Sequence, residues 1–323
     1  MSTMESSPVS ASEGANAAAA LQSADARSSD ATARTTLSAH LVASADGTPI
    51  EYFSVGTGPA IIIVHGSMQS AGSQRDLAGL LAGDFTVQLI NRRGRGASGP
   101  YPELDRYDSG IDVADVEAVV AATGAVGLLG ISSGAVIAAE VGRRHPELRV
   151  ALFEPPFIVG GSLDVDAFMP RFDREVASGD VPSLMVTAML GAQMGPGFLR
   201  LFPRRMLRSL TEKMLASDAA KPVPEAGAHL SELAGSLPYE FAIIREHVDR
   251  IEDFAAMRNP LLLVSGAKSA KYLRRSVAEL ERRNPAATVR ILQGADHSAT
   301  QNTTDRGRPA LVAPLLRTFF ADR

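Results

Sequence analysis

The sequence predicts an α/β protein: a mostly parallel, doubly wound sheet with a helical lid insertion. Three observations predict it. Continuous β-branched and leucine-rich runs, such as Ile61-Ile62-Ile63-Val64 and Leu261-Leu262-Leu263-Val264, suit strands covered on both faces. Helical segments separate these runs, the pattern of parallel strands joined by crossover helices. Near the middle of the chain, Gly130-Ile131-Ser132-Ser133-Gly134 links one such strand directly to one such helix.

Taken in order, residues 1–36 are rich in Ala, Ser, Thr and Asp, with Val9 and Leu21 the only larger aliphatics. Such a segment buries too little apolar area to offset its ordering entropy and reads as a disordered tail. Ala17-Ala18-Ala19-Ala20-Leu21 is too short for a signal sequence, and Glu5, Glu13, Asp25 and Asp30 do not suit an acid-poor transit peptide. A cytoplasmic location is the expectation. Residues 37–157 and 238–323 read as the α/β core. It opens with a hairpin, His40–Ala43 and Ile50–Phe53, around Asp46-Gly47. The run Ala60–Val64 ends in His65-Gly66-Ser67-Met68, and a helical stretch follows over Arg75–Leu81. Phe85–Ile90 is the next strand and leads into Arg92-Arg93-Gly94-Arg95-Gly96-Ala97-Ser98. Ile111, Val113, Val116, Val119 and Val120 mark a helix before the Val126–Leu129 strand. Ala135–Ala139 begins the helix after Ser132, and Arg149–Phe153 is a strand running into Glu154-Pro155-Pro156-Phe157. Leu261–Val264 and Val289–Leu292 are the last strands, and Leu311–Phe320 is the closing helix. Residues 158–237 break the rhythm: they hold Met169, Met185, Met189, Met194, Met206 and Met214 and no strand pattern, and read as a helical lid.

Composition narrows the function. A hydrophobic content of 45% is ample for a core, and a net charge of −4 gives no reason to expect nucleic acid or an anionic membrane as partner. The chain has no cysteine, so disulfides, thiolate metal sites and a cysteine nucleophile are excluded. No apolar stretch approaches the roughly 20 residues that span a bilayer. Oligomeric state is not legible.

The Gly-x-Ser-x-Gly pattern between a buried strand and a helix is that of a nucleophile elbow. The chain must reverse in very little space, which calls for glycine on both sides of the serine. Ser132 then stands above the first turn of a helix, where free N–H groups stabilise negative charge.

Ser132 needs a base, and the sequence offers six histidines. His40 lies in the hairpin, His145 ends the elbow helix, His229 and His247 lie in helical stretches, and His65 reads as structural. His297 sits in Gly294-Ala295-Asp296-His297, in the loop after the last strand. A doubly wound sheet does its chemistry beyond the carboxyl ends of its strands, where His297 and Ser132 both map. A carboxylate must orient the imidazole. The loop after the penultimate strand, Ser265–Lys271, has none and is basic. Glu154 tops the strand next to the elbow and is the choice; Asp296 adjoins His297 too closely, and Asp253 is a distant reserve. The tetrahedral oxygen needs donors: the backbone N–H of Ser133, and that of Ser67 with Met68 as its substitute. Arg92, Arg93 and Arg95 form a basic cluster of the kind that suits a phosphate.

These motifs together resemble the α/β-hydrolase superfamily, over about Leu41–Phe157 and Leu261–Phe320. The likeness rests on His65-Gly66 after a strand, the Arg93-Gly94-Arg95-Gly96-Ala97-Ser98 loop, the Ser132 elbow and Gly294-Ala295-Asp296-His297. The most similar subgroup carries Arg-Gly-x-Gly-x-Ser, Gly-x-Ser-Ser-Gly and a strand ending in Glu-Pro-Pro. Superfamily members with their acid after the strand that follows the elbow support Glu154. Ile131 departs from the histidine often found there, and the usual position after the penultimate strand lacks its acid. The resemblance implies the α/β-hydrolase fold and a cofactor-free, metal-free serine hydrolase acting on a small, fairly apolar ester, thioester or lactone, and it makes Arg92, Arg93 and Arg95 a structural loop paired with carboxylates such as Asp112 or Asp115 rather than a phosphate site. The same site also suits C–C bond hydrolysis or perhydrolysis, and the missing acid leaves open a ligand-binding member without catalysis.

Overall fold

The computed structural model describes residues 36–195 and 197–322, so the tail expected over residues 1–36 lies, Thr36 apart, outside the described residues. Ser38–Ala43 (β1) and Pro49–Val55 (β2) pair antiparallel around the Asp46-Gly47 turn. Ala60–Val64 (β3), Arg75–Leu81 (α1), Thr86–Ile90 (β4), Ser109–Thr123 (α2), Gly127–Ile131 (β5), Ser133–Arg144 (α3) and Arg149–Phe153 (β6) then alternate strand with helix. After a further run of helices come Leu261–Gly266 (β7), Lys271–Arg283 (α10), Thr288–Leu292 (β8) and Pro309–Ala321 (α11).

The eight strands form one sheet in the order β1-β2-β4-β3-β5-β6-β7-β8. β2 runs antiparallel to β1 and β4, and every pairing from β4 onward is parallel. Parallel neighbours need crossovers, and helices supply them. Successive side chains along each strand point to opposite faces. Ile62, Val64, Leu128, Val150, Leu152, Leu261 and Leu263 therefore pack with Val113 and Val116 of α2 and Val136, Ile137 and Val141 of α3. Their neighbours Ile61, Ile63, Leu129, Phe153, Leu262 and Val264 pack with Leu77 and Leu81 of α1 and Val312, Leu316 and Phe320 of α11. Both faces are buried, which is why these strands read as unbroken apolar runs. The arrangement sends the carboxyl ends of β3, β5, β6, β7 and β8 to one edge.

Between β6 and β7 all the regular structure described is helical: Met169–Ser178 (α4), Val181–Gly191 (α5), Arg204–Ala219 (α6), Leu230–Gly235 (α7), Leu237–Glu246 (α8) and Ile251–Ala255 (α9). A third apolar cluster gathers Ile158, Leu163, Met169, Phe172, Leu184, Leu237 and Phe241 with Tyr272 and Leu273 of α10. Phe241 of α8 meets Phe172 and Phe168 edge-on, with ring centroids 4.7 and 5.5 Å apart.

The arginines after β4 are buried and paired. Arg92 Nε donates to Asp112 Oδ1 at 2.8 Å, and Arg93 Nε to Asp115 Oδ2 at 2.7 Å. Two further partners were not expected from the sequence: Asp46, whose Oδ2 accepts from Arg93 Nη1 at 2.8 Å, and Glu240. Glu240 on α8 accepts from Arg92 Nη1 at 2.9 Å and Arg95 Nη2 at 2.5 Å, and it is fully buried. Burial opposes its charge, but the Arg92 and Arg95 guanidiniums prevail and hold its carboxyl at about 2. A carboxyl held below its ordinary value stabilises the fold above the unfolded pKa, here near 4.5, and loses that contribution as the pH falls through about 2. Glu240→Gln strips one partner from a buried ion pair, so urea unfolding at pH 7 should show a loss of about 3–5 kcal/mol. The gap between the variant and the parent should narrow as the pH is lowered from 4.5 towards 2.

Candidate active site

Ser132 follows β5 and caps α3 with φ 53° and ψ −124°, a strained backbone for a residue with a side chain. The flanking glycines make this reversal possible. A Cβ at Gly134 would lie 2.4 Å from the carbonyl oxygens of Val64 and His65, and one at Gly130 would lie 2.5 Å from Ala135 Cα. The loop after β3 presses in from the other side: a Cβ at Gly66 would come within 2.9 Å of Ser132 Cβ. Ser132 N–H donates to the Phe153 carbonyl at 2.9 Å, which pins the elbow to the residue just before Glu154.

Glu154 stands at the end of β6 with φ 52°, its N–H donating to Val264 O at 3.0 Å. Its carboxylate is buried and divided between two tasks. Oε1 accepts from Gly266 N–H at 2.7 Å and from the Ser265 hydroxyl at 2.9 Å. Oε2 lies 2.5 Å from His297 Nδ1. Burial pushes the Glu154 carboxyl up, but the hydrogen bond and charge of His297, with the Gly266 N–H, outweigh this and hold it below the usual carboxylate range. A carboxylate on Nδ1 puts the proton there and leaves Nε2 of His297 able to accept one. The last two residues of β7, where the sequence reading placed an acid-free loop, thus supply hydrogen-bond donors to the acid of the neighbouring strand. Those donors were missed in the sequence because one is a backbone N–H.

The alternatives lie elsewhere. Asp296 accepts from the Ser298 N–H at 3.0 Å and hydroxyl at 2.7 Å, and Asp253 pairs with Arg250 on α9. His65 is fully buried; its Nε2 faces the Arg92 N–H at 3.3 Å and its Nδ1 the Gly66 carbonyl at 2.9 Å. Burial, then the charges of Arg95 and Arg92, hold its pKa well below the ordinary value, so the ring is neutral. It accepts through Nε2 and donates through Nδ1. His247 is buried against the Ile243 carbonyl and Glu140.

Ser67 and Met68 form the half-buried turn after β3, Met68 at φ 55° with its side chain against the cap cluster. Gly66 N–H is taken by Gln69 Oε1 at 3.0 Å. Ser133 is the first residue of α3, so its N–H has no acceptor within the helix. Together these features can place an alcohol, an imidazole backed by a carboxylate, and unpaired N–H groups at one edge of the sheet. Among the described residues no group of three His, Asp or Glu side chains is gathered as a metal site, and no helix is long and apolar enough to cross a membrane.

Residues 61–314 match the model of the alpha/beta hydrolase family, and the chain belongs to that family. An uncharacterized hydrolase of Bacillus subtilis, YraK, is 33% identical over 103 residues, which is 31% of this chain and 38% of that relative. The chain therefore matches well under half the length of that relative. Among solved structures, an alpha/beta hydrolase from Sphaerobacter thermophilus superposes with a TM-score of 0.69 at 28% identity, over 87% of this chain and 100% of that one. The esterase RhEst1 from Rhodococcus sp. ECU1013 superposes with a TM-score of 0.60 over 88% of this chain and 99% of its own, and at 21% identity the likeness is one of fold.

Gly134→Ala should lower the unfolding free energy by at least about 1–3 kcal/mol, the usual cost of overpacking. Gly235→Ala, where an added Cβ meets nothing within 4 Å at the end of α7, should be neutral or stabilising. Thermal unfolding of the two variants side by side checks the contrast.

Proposed function

We propose that this chain is a cofactor-free serine hydrolase that cleaves a small, fairly apolar carboxylic ester, thioester or lactone through an acyl-enzyme. The observation that carries the reading is the 2.5 Å contact between His297 Nδ1 and the buried Glu154 carboxylate. An imidazole held this way has a fixed tautomer and a base nitrogen free for a hydroxyl, and the carboxylate stabilises the imidazolium that forms.

In this reading Ser132 Oγ attacks the substrate carbonyl while His297 Nε2 takes its proton. The oxygen that gains charge is held by the Ser133 N–H and by an N–H of the Ser67-Met68 turn. Collapse of the tetrahedral adduct expels the alcohol, which takes the proton back from His297. A water, deprotonated by the same nitrogen, then attacks the acyl-serine and frees the acid. The apolar cluster around Phe172, Leu184, Phe241 and Tyr272, which Met68 joins, supports an apolar acyl or alcohol group.

A fluorophosphonate probe should label Ser132 in the folded protein, and Ser132→Ala should abolish both labelling and turnover of p-nitrophenyl esters. Glu154→Gln should keep the fold and lower kcat by about 10²–10⁴, the scale seen when the orienting carboxylate of a triad is neutralised. An unlabelled but folded parent protein points instead to ligand binding without catalysis. Unchanged kcat in Glu154→Gln moves the acid to another residue. Esters and lactones of graded size then read the pocket directly.

A further inference from the structure

The buried charges behind the elbow do more than fill space. Two loops would have to supply the donors for the tetrahedral oxygen: the turn over His65–Gln69 and the first residue of α3. They come from different parts of the chain, and neither is hydrogen-bonded to the other in a regular ladder. The turn is tied to Arg92 and Arg95, and the start of α3 to Arg92. Arg92 donates its backbone N–H to His65 Nε2 at 3.3 Å, and the other nitrogen of that ring holds the Gly66 carbonyl at 2.9 Å. Its guanidinium reaches the Ser133 hydroxyl at 3.5 Å. Arg95 Nε donates to the Gln69 carbonyl at 2.9 Å, and Gln69 Oε1 accepts the Gly66 N–H at 3.0 Å. Glu240 then fixes both guanidiniums, and Arg95 Nη2 also reaches the Ser236 hydroxyl at 2.8 Å. Arg92 and Arg95 are each 1% exposed and Glu240 is fully buried.

Packing alone does not call for this arrangement. Apolar side chains of similar volume would fill the same space without the desolvation cost of buried ions. A guanidinium differs from them in giving direction: its planar fork fixes where each partner lies. Donors to a developing oxyanion must be placed to within a few tenths of an ångström, so direction is what this site requires.

We infer that Glu240, acting through Arg92 and Arg95, is a positioning residue that aligns the Ser133 and Ser67-Met68 N–H groups as one oxyanion pocket. The inference rests on the serine-hydrolase reading and deepens it. Ser236 and Glu240 belong to the helical stretch between β6 and β7, so this network ties that stretch to the edge of the sheet.

The test is Ser133→Ala, which cuts the hydroxyl link to Arg92 without removing a buried charge and keeps the backbone N–H. The unfolding temperature should stay close to that of the parent. With a p-nitrophenyl ester, kcat should fall about 5- to 20-fold while KM changes less than twofold. Affinity for a boronic acid that mimics the tetrahedral adduct should fall by the same factor as kcat/KM, and affinity for the carboxylic acid product should not change. A merely structural role would leave the boronic acid and the product affected alike. Glu240→Gln, where it folds, should show the same pattern more strongly. If the parent is labelled at Ser132 and Ser133→Ala keeps its kcat and boronic-acid affinity within twofold, this inference is wrong and the hydrolase reading stands. A folded parent that neither labels nor turns over esters removes both.

Discussion

The structure depends on three chain segments meeting where no side chain fits. The end of β3, the end of β5 and the start of α3 close on one another at Gly66, Gly130 and Gly134, and each glycine abuts atoms that would overlap a Cβ. Everything at the site follows from that approach. It turns Ser132 up into a positive-φ conformation, brings the Ser67-Met68 turn beside it, and leaves the first N–H groups of α3 without acceptors in the helix. Strain at such a position costs on the order of 1–3 kcal/mol and persists only where neighbours over-determine it. Here the bond from Ser132 N–H to Phe153 O does part of that work, and the apolar packing of β5 between β3 and β6 does the rest.

A second strained residue sits one strand away. Glu154 has φ 52° at the top of β6, and its N–H is held by Val264. Two neighbouring parallel strands therefore end in residues with unfavourable backbones, each secured by the next strand along. The carboxylate is secured as well, since Ser265 and Gly266 occupy the oxygen that does not face His297. A buried carboxylate needs such partners to remain charged.

Much of the fold was legible because the sheet is buried on both faces. Unbroken runs such as Ala60–Val64 and Leu261–Val264 suit little besides a strand covered on both sides, and their termini show which loops lie at the carboxyl edge. Those termini, with the Gly-x-Ser-x-Gly motif, the acid-free stretch Ser265–Lys271 and the family likeness, singled out Ser132, Glu154 and His297. Their distances could not, since the meeting of positions 154 and 297 depends on the order β5-β6-β7-β8, which no local pattern contains. Glu240 was invisible for the same reason: it is 148 residues from Arg92, on a helix with no strand signal near it. The arginine-rich loop by itself suited a phosphate as well; the family likeness implied carboxylate partners, and Asp112 and Asp115 were near enough in sequence to be named. The donors from β7 were illegible because a backbone N–H leaves no mark on composition.

The dependence of two guanidiniums on one carboxylate from the helices between β6 and β7 bears on how such a protein can diverge. Grafting a foreign insertion into this scaffold, by recombination or in a designed chimera, succeeds only where the graft ends before Ser236 or carries an acid at the place of Glu240. Otherwise, among the described residues, Arg92 keeps only Asp112 as a paired carboxylate and Arg95 keeps none. The exchangeable part of the molecule and the sheet edge beneath it are thereby joined at a seam that any exchange must respect.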